Sequence, residues 1–170
     1  EIDHLESIST ALDIAVQEAD LAQIKEELIL AGYIKRKGGS KREKITSKPF
    51  HYVSQDGFHI YVGKNNIQNE ELTFKFATGN DWWFHAKGMP GSHVIVKTEG
   101  KELPDATFED AARLAAYYSK GRGQEKVEID YIQKKHVKKP NGGKPGFVVY
   151  YTNYSMMIDC DVSKIRGCDM

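Results

Sequence analysis

The chain has 170 residues, of which 40% are hydrophobic and 11% aromatic, so it is long enough to form one domain with a sizeable core. It carries 24 basic and 24 acidic residues, and a net charge of zero argues at first against a nucleic-acid binder. No apolar run is long enough to span a membrane, no signal peptide is visible, and Cys160 and Cys168 are too few for a disulfide framework. We therefore expect a protein of a reducing, cytosolic compartment.

The first 31 residues predict a single helix. Small and aliphatic residues recur at spacings of three and four, the pattern of a coiled-coil seam: Leu5, Ile8, Leu12, Ala15, Ala19 and Ala22. A second stripe follows one position out of register and consists of Leu21, Ile24, Leu28 and Ala31. Because so narrow a seam needs a partner, the helix either packs on its own domain or is half of a coiled coil. We interpret residues 1–31 as the second helix of a coiled-coil arm whose N-terminal half is missing.

The charges are divided unevenly along the chain. Residues 1–31 carry eight acids and one base, whereas residues 32–48 carry seven bases and one acid and predict a basic, glycine-containing linker. Residues 120–146 carry eight bases and three acids. Beyond residue 31 there are 23 bases and 16 acids, a net charge of +7, so the neutral total does not argue against RNA.

Residues 49–170 predict one α+β domain. Seven short runs have the pattern of strands, at 50–54, 58–62, 82–86, 93–98, 127–133, 147–152 and 156–159. The first two are joined through Asp56-Gly57, a favoured hairpin turn. Helices are predicted at 66–77, with Asn66 as the cap, and at 107–120. The order ββαββαβββ indicates a mainly antiparallel β-sheet with two packed helices, preceded by the N-terminal coiled-coil helix.

The segment Asp81-Trp82-Trp83-Phe84-His85 is the first candidate site. In a strand, Trp82 and Phe84 face one side, while Asp81, Trp83 and His85 face the other. One tryptophan then belongs to the core, and the other offers a stacking platform for a nucleobase beside a carboxylate and an imidazole. The alternative is that both tryptophans are core residues and Asp81 caps a loop.

Two short polar segments are further candidates. Around Gly88, Gly91, Ser92 and His93, successive backbone amides could form an anion-binding nest, although a plain turn is the simpler explanation. The other segment places four side-chain amides at a predicted helix start: Asn65, Asn66, Gln68 and Asn69. These amides either cap the helix or bind phosphate there, and the sequence leaves both interpretations open.

Residues 134–146 contain no acid, and their basic residues are Lys134, Lys135, His136, Lys138, Lys139 and Lys144. The first of these residues continue a predicted strand, and the rest form a Pro/Gly loop that holds its lysines towards solvent. Protection of an edge strand explains one or two lysines but not five, whereas phosphate binding explains all of them. We expect this loop to lie on the same side of the sheet as the segment from Asp81 to His93.

Catalysis is a weaker interpretation. His59, His85, His93 and Asp81 could form a metal or acid–base site, but no two of them have the spacing of a known ligand motif. The sequence contains neither a Walker loop nor a Gly-x-Ser-x-Gly elbow. We therefore expect a binding module without a cofactor or catalytic metal, with a metal-dependent nuclease as an alternative.

Three ordered motifs resemble the NFACT-R domain, the RNA-binding domain of the NFACT proteins. They are GKNNIQNEELT at 63–73, DWWFHAKGMPGSHV at 81–94 and KKHVKKPNGGKPGFV at 134–148. The resemblance extends from about residue 32 to about residue 153. The family includes bacterial ribosome quality control factors of the RqcH type, formerly known as fibronectin-binding protein A, and the eukaryotic nuclear export mediator factors.

The resemblance implies a function. NFACT proteins bind the large ribosomal subunit that still carries peptidyl-tRNA after a stalled ribosome has split, recruit tRNA, and promote C-terminal tailing of the nascent chain, with alanine in bacteria. The ribosome forms the peptide bonds, so this domain is expected to bind tRNA or ribosomal RNA and not to act as an enzyme. The older name leaves a fibronectin-binding surface adhesin as an alternative. The residues expected to contact RNA are Asn65, Asn66, Gln68, Asn69, Asp81, Trp82, Trp83, His85, Gly91, Ser92, His93, Lys134, Lys135, His136, Lys138, Lys139 and Lys144.

Overall fold

The computed structural model describes residues 2–36 and 46–168. Its helices are α1 (Ile2–Ile14), α2 (Glu18–Leu30), α3 (Asn66–Glu71) and α4 (Asp105–Tyr117), with a π-helical turn at Leu72–Phe76 and a 3-10 turn at Lys134–His136. Its strands are β1 (Phe50–Val53), β2 (His59–Val62), β3 (Trp82–Ala86), β4 (Val94–Val96), β5 (Val127–Gln133), β6 (Tyr154–Ile158) and β7 (Arg166–Gly167). The predicted α+β class with a mainly antiparallel sheet is confirmed.

The seven strands form one sheet in the order β6-β5-β3-β4-β2-β1-β7, and all the pairings are antiparallel. Strand β3 lies inside the sheet between β5 and β4, with Trp83 opposite Ile95 of β4 and Ile132 of β5. Side chains alternate along a strand, so these three residues share one face of the sheet and Phe84 lies on the other. The alternation predicted for the Asp81–His85 segment is therefore observed.

Helix α4 covers the face that bears Phe84, which we call the α4 face. The inner surface of the helix is formed by small residues and one leucine, all fully buried: Ala111, Ala112, Leu114, Ala115 and Ala116. They join Ile60, Val94 and Ile129 of the sheet in the larger of the two cores that flank it. Because alanines bring the helix close to the strands, the centre of this face is closed by regular packing.

Irregular segments cover the opposite face, which we call the loop face. The π-helical turn and residues 137–150 lie over it and complete a smaller core with Trp83, Ile95 and Ile132. Val148 and Tyr150 pack at the margin of this core. The loop face is therefore closed by turns whose side chains meet less regularly than those of a helix.

The N-terminal segment forms two helices where the sequence predicts one. Helices α1 and α2 are separated by residues 15–17 and lie antiparallel, since His4 near the start of α1 meets Glu27 near the end of α2 at 2.8 Å. Ile8 and Ile24 form the core between the two helices. The predicted single helix is wrong because its apolar residues face each other across a hairpin and not along one continuous seam.

Asp20 explains where the helix breaks. Its carboxylate accepts the backbone N–H groups of Val16 and Gln17, which stabilises a new helix start three residues before it. The same carboxylate accepts hydrogen bonds from Ser47 and Lys64 of the domain. The shift of the apolar stripe by one position was the only sign of this break in the sequence.

The strands near the C-terminus differ from the prediction. Residues 147–152 are not a strand and form only an isolated bridge between Val149 and Lys138. A left-handed backbone at Gly146 (φ 82°) and Thr152 (φ 53°) turns the chain at both ends of this stretch, so it packs on the loop face and does not join the sheet. Strand β7, which pairs with β1, was not predicted.

Smaller differences affect the helices. The first predicted helix divides into α3 and the π-helical turn, and its cap is Asn65, whose side chain accepts the N–H of Gln68, and not Asn66. The segment Lys134–His136, predicted to continue a strand, is a 3-10 turn. Residues 37–45 of the predicted basic linker lie outside the described residues. No helix in the described part of the chain is long and apolar enough to cross a membrane.

Candidate nucleic-acid interface

A cavity of about 370 Å³ lies on the loop face. It is lined by residues from all four candidate segments: Asn66, Asn69, Trp83, His85, Gly91, His93 and Gly146. Helix α1 contributes Asp3, Glu6 and Ser7 to the same wall, and Phe147 and Tyr150 complete it. The fold therefore brings together segments that are far apart in the sequence, around a space of the size that small ligands occupy.

Trp83 forms the floor of the cavity but is not the exposed platform that the sequence suggested. Its side chain is 0% exposed and stacks in parallel with His85, at 5.7 Å between ring centroids. His93 and Tyr150 meet the indole at 5.2 Å and 4.8 Å. The Nε1–H of Trp83 is buried and has no hydrogen-bond partner among the described residues.

Trp82 lies on the α4 face and is half-buried against Phe108, at 4.9 Å between ring centroids. Tyr131 and Tyr154 continue this aromatic group along the sheet. The two tryptophans thus separate as the alternation predicted, but the more accessible one lies on the side away from the lysine loop. The sequence could not show this, because it does not reveal which residues cover Trp83.

His93 is held as a neutral imidazole. Its Nε2 lies 2.9 Å from the carbonyl oxygen of Gly146, so Nε2 carries the proton, and its Nδ1 accepts from the hydroxyl of Thr73 at 2.7 Å. Burial, and then the neighbouring His85, lower the pKa of His93 well below its ordinary value. His93 therefore fixes the loop end at Gly146 over the sheet, while its backbone N–H is bound by Asn69.

His85 lies on the cavity wall between Trp83 and His93. Burial lowers its pKa, and the nearby carboxylate of Asp130 opposes this only in part. Asp130 is itself engaged by the hydroxyls of Tyr150 and Ser155, each at 2.7 Å. His85 is thus a neutral ring that can donate or accept one hydrogen bond.

Asp81 caps a loop, which is the alternative that the sequence left open. Its buried carboxylate accepts the backbone N–H groups of Thr78 and Thr98 and pairs with Lys97 at 2.6 Å. Burial opposes ionisation of Asp81, but these hydrogen bonds and the lysine outweigh it, so the pKa of the carboxyl is lowered. Both carboxylate oxygens are engaged and Asp81 does not line the cavity, so the expectation that it lies beside the stacking tryptophan as a ligand group is wrong.

The side-chain amides mainly hold the N-terminal helical hairpin. Asn65 and Gln68 both donate to Gln23 of α2, at 2.9 Å and 2.8 Å. Asn66 donates to Ser7 of α1 and to Glu27 of α2. All of these are buried contacts within the chain, so the expectation of exposed phosphate donors is wrong for these three amides.

Asn69 is the fourth amide and lies on the cavity wall. Its carbonyl oxygen accepts the backbone N–H of His93 at 3.0 Å. Residue 63 must be a glycine beside it, because a Cβ there would lie 1.9 Å from Asn69 Oδ1. This close approach fixes the amide oxygen against the start of β4.

The segment Gly88–Ser92 is a turn that pairs with the end of α4. Gly91 forms an isolated bridge with Ser119, and the N–H of Ser92 donates to the carbonyl of Tyr118 at 2.9 Å. A Cβ at residue 91 would lie 3.0 Å from Ser119 Cβ. Because the Ser92 amide is engaged, it cannot contribute to the predicted anion nest, and its buried hydroxyl has no partner among the described residues.

The lysine loop is anchored by its own backbone. The N–H of Lys134 donates to Asp81 and that of Lys135 to Gly79, which fixes the 3-10 turn beside β3. Lys139 is used inside the loop, where its ammonium binds the Glu70 carboxylate at 2.9 Å and the carbonyl of Phe147 at 3.3 Å. Lys139 is therefore a residue that shapes the loop and not a free cation.

Four basic residues of the loop remain directed towards solvent, and we call them the lysine patch: Lys134, Lys135, His136 and Lys138. Lys135, His136 and Lys138 are exposed, and no side-chain partner is found for them in the described ranges. Lys134 is half-buried, with its ammonium 5.7 Å from the centre of the Phe74 ring. The patch lies on the loop face, so the expectation that it shares a side with Trp83 and His93 is confirmed.

Within residues 2–36 and 46–168, no group of three His, Cys, Asp or Glu side chains is arranged to hold a metal ion. Asp81 is paired with Lys97, and both ring nitrogens of His93 are engaged. The residues Asp81, His85 and His93, which the sequence offered as a metal site, are therefore not assembled as one.

The comparisons with known proteins agree with the motifs. The family model described as NFACT protein RNA binding domain matches residues 48–151. The chain belongs to this family. The resemblance drawn from its three motifs is confirmed.

Other members of the NFACT family are similar over nearly the whole chain. The chain is 47% identical over 167 residues to a protein named Rqc2 homolog RqcH from Streptococcus pneumoniae, and 38% identical over 168 residues to one from Bacillus subtilis. These alignments cover 96% and 97% of this chain but 29% of each relative.

A solved structure has the same fold. It is the C-terminal part of the fibronectin/fibrinogen-binding protein from Streptococcus suis, which superposes with a TM-score of 0.88 at 45% identity. The match covers 96% of this chain and 65% of that chain. The similarity to this solved structure therefore extends over both the helical hairpin and the domain.

Proposed function

We propose that this chain is the RNA-binding module of a cytoplasmic ribosome quality control factor. In this proposal it binds tRNA or ribosomal RNA on a large ribosomal subunit that carries peptidyl-tRNA, and so supports tRNA recruitment for C-terminal tailing with alanine. The module itself forms no peptide bond. The proposal is supported by the RNA-binding domain family and by the RqcH relatives.

The lysine patch is the observation on which the proposal rests. Two other lysines near the loop face are used within the chain, with Lys64 bound to Asp20 and Lys97 to Asp81. By contrast, Lys135 and Lys138 are exposed on a turn whose backbone is fixed. Cations held on a turn with a fixed backbone suit the phosphates of folded RNA, because little backbone ordering remains to be done on binding.

The salt dependence of tRNA binding tests this proposal. The double variant Lys135→Ala/Lys138→Ala should bind tRNA more weakly, and the slope of log Kd against log salt should fall by roughly one unit for each phosphate that is no longer bound. The matched control is Lys126→Ala/Lys164→Ala, which removes two exposed lysines outside the loop. An unchanged slope in the first variant, or equal weakening in both, would show that the patch does not bind phosphate.

Fibronectin binding is a second candidate, because the solved relative bears that name. A direct comparison separates the two candidates: immobilised fibronectin and isolated large ribosomal subunits are offered to the same protein. Our proposal expects retention by the subunits, weakened by Lys135→Ala/Lys138→Ala and not by the control. Retention by fibronectin alone would favour the adhesin.

We further propose that the helical hairpin is the base of a longer helical arm. Ile2, Leu5 and Leu12 of α1 are exposed to 72%, 46% and 49%. Such residues on one helix favour a further helical partner, which is the coiled-coil half expected from the sequence. A longer version of the protein should protect the α1 amides from hydrogen exchange, and unchanged exchange would argue against this arm.

A further inference from the structure

The buried indole N–H of Trp83 indicates a ligand site. Buried hydrogen-bond donors in folded proteins are nearly always paired, and an unpaired one calls for an explanation. Here the indole lies in the wall of the 370 Å³ cavity and is 0% exposed, and its Nε1 has no partner in the described part of the chain. A ligand that reaches this indole from the cavity would gain a hydrogen bond by presenting an acceptor to it.

The walls favour a flat, aromatic ligand. Three aromatic side chains, Trp83, Phe147 and Tyr150, line the cavity together with the imidazole of His85. The rings of Trp83 and His85 are parallel, so the two aromatic planes have the same orientation in this wall. Aromatic walls of this kind bind nucleobases through contacts with their faces and edges, and each base so held strengthens single-strand binding.

The charges around the cavity define the polar groups of the ligand. Asp3 and Glu6 of α1 lie on one wall. Among the described residues, the only ion pair of Glu6 is with the exposed Lys120, at 3.8 Å. On the other side the cavity ends at Gly146, which belongs to the loop that carries the lysine patch. A ligand that fits both sides has an amino group for the carboxylates and a phosphate directed towards the loop.

We propose that the cavity takes one unpaired nucleobase with an exocyclic amino group, that is adenine, cytosine or guanine, from the RNA whose phosphates the lysine patch binds. Each of these bases combines an amino group with ring acceptors for the indole N–H, whereas uracil has no exocyclic amine to offer the carboxylates. This inference rests on the proposed function and adds to it a base-selective site. Helix α1 completes that site, so the N-terminal hairpin belongs to the interface.

The variant Trp83→Phe tests this inference, because it keeps an aromatic ring in the core and removes the N–H. Binding of fluorescein-labelled hexamers of adenylate, cytidylate and uridylate is measured by anisotropy. The wild type should bind the adenylate and cytidylate hexamers more tightly than the uridylate hexamer. Trp83→Phe should lose about two- to tenfold in affinity for the first two, as expected for one hydrogen bond, and little for uridylate.

Trp82→Phe is the matched control, since that indole lies on the α4 face, and it should bind all three hexamers as the wild type does.

A titration followed by NMR provides a readout that does not depend on the stability of Trp83→Phe. The indole N–H resonance that Trp82→Phe retains belongs to Trp83, and it should shift with the adenylate hexamer. An unmoved resonance, or equal affinity of the wild type for all three hexamers, would overturn the proposal.

The same hexamers keep the two proposals distinguishable. Lys135→Ala/Lys138→Ala should weaken the binding of all three alike, because phosphates are common to them. If this weakening is found while Trp83→Phe has no effect, the nucleobase site is wrong and RNA binding by the lysine patch stands. If neither variant changes binding, both proposals fail.

Discussion

The two faces of the sheet are closed in different ways. The α4 face is covered by one regular helix whose alanines and leucine are 0% exposed, and it belongs to the larger core. The loop face is covered by a π-helical turn and an irregular stretch, and its cavity and the lysine patch bring together residues of all the candidate segments. The α4 face also has cavities at its margin, beside Trp82 and Phe108, but Trp82 is the one candidate residue that lines them. Regular packing thus stabilises one face, while loops fixed by hydrogen bonds leave groups available for a ligand on the other.

Strand β5 offers a matched pair of residues for comparing the faces. Ile129 is buried on the α4 face and Ile132 on the loop face. Replacement of either by alanine should lower the free energy of unfolding by about 2–5 kcal/mol, with Ile129→Ala near the upper end because its tight surroundings cannot collapse into the space left. Urea unfolding gives both values, and a larger decrease for Ile132→Ala would contradict the comparison.

The pH dependence of stability should arise on the loop face. The pKa of His93 is well below its ordinary value in the folded state, whereas in the unfolded chain it is about 6.5. As the pH falls below about 6.5, only the unfolded state takes up this proton, so stability decreases by roughly 1.4 kcal/mol per pH unit until the folded pKa is reached. Urea unfolding between pH 7 and pH 5 should show this slope.

The variant His93→Gln tests the assignment of that slope. Glutamine keeps a donor for the Gly146 carbonyl and an acceptor for Thr73 but does not titrate, so the dependence should become flatter. His85 and His51, whose pKa values are lowered in the same direction, contribute to the remainder. An unchanged slope in His93→Gln would show that the dependence originates elsewhere.

The most local effect is expected where the helical hairpin meets the loop face. Asn66→Ala removes the hydrogen bonds to Ser7 and Glu27, which should loosen α1 and α2 by about 1–3 kcal/mol. Hydrogen exchange should become faster in these helices and stay unchanged in α4. Asn141→Ala, at an exposed loop position, is the control. Faster exchange spread evenly over all the helices would mean that the hairpin and the domain unfold as one unit.

The sequence predicted local features well. The alternation of Trp82 and Trp83 between the two faces follows from the geometry of a strand, and the Asp-Gly turn joins β1 to β2 as expected. The position of α4 follows from its amphipathic pattern, within about three residues at each end. Each of these features depends on neighbours within a few positions along the chain.

Features that depend on distant partners were not predictable. Trp83 is buried because Val148 and Tyr150 return over it, and these residues follow it by more than sixty positions. The amides of Asn65 and Gln68 are engaged by Gln23, more than forty positions before them. The basic and amide-rich motifs were correctly recognised as a family signature, but only the fold shows which of their members are structural.

The central claim is that RNA meets the loop face. Photocrosslinking of the full-length protein to large ribosomal subunits carrying peptidyl-tRNA, with mass spectrometry of the crosslinked peptides, tests it most directly. The account predicts crosslinks at residues 134–138 and at the walls of the cavity, in particular Tyr150 and Phe147. Crosslinks confined to the α4 face, at Trp82, Tyr131 and Tyr154, would contradict it.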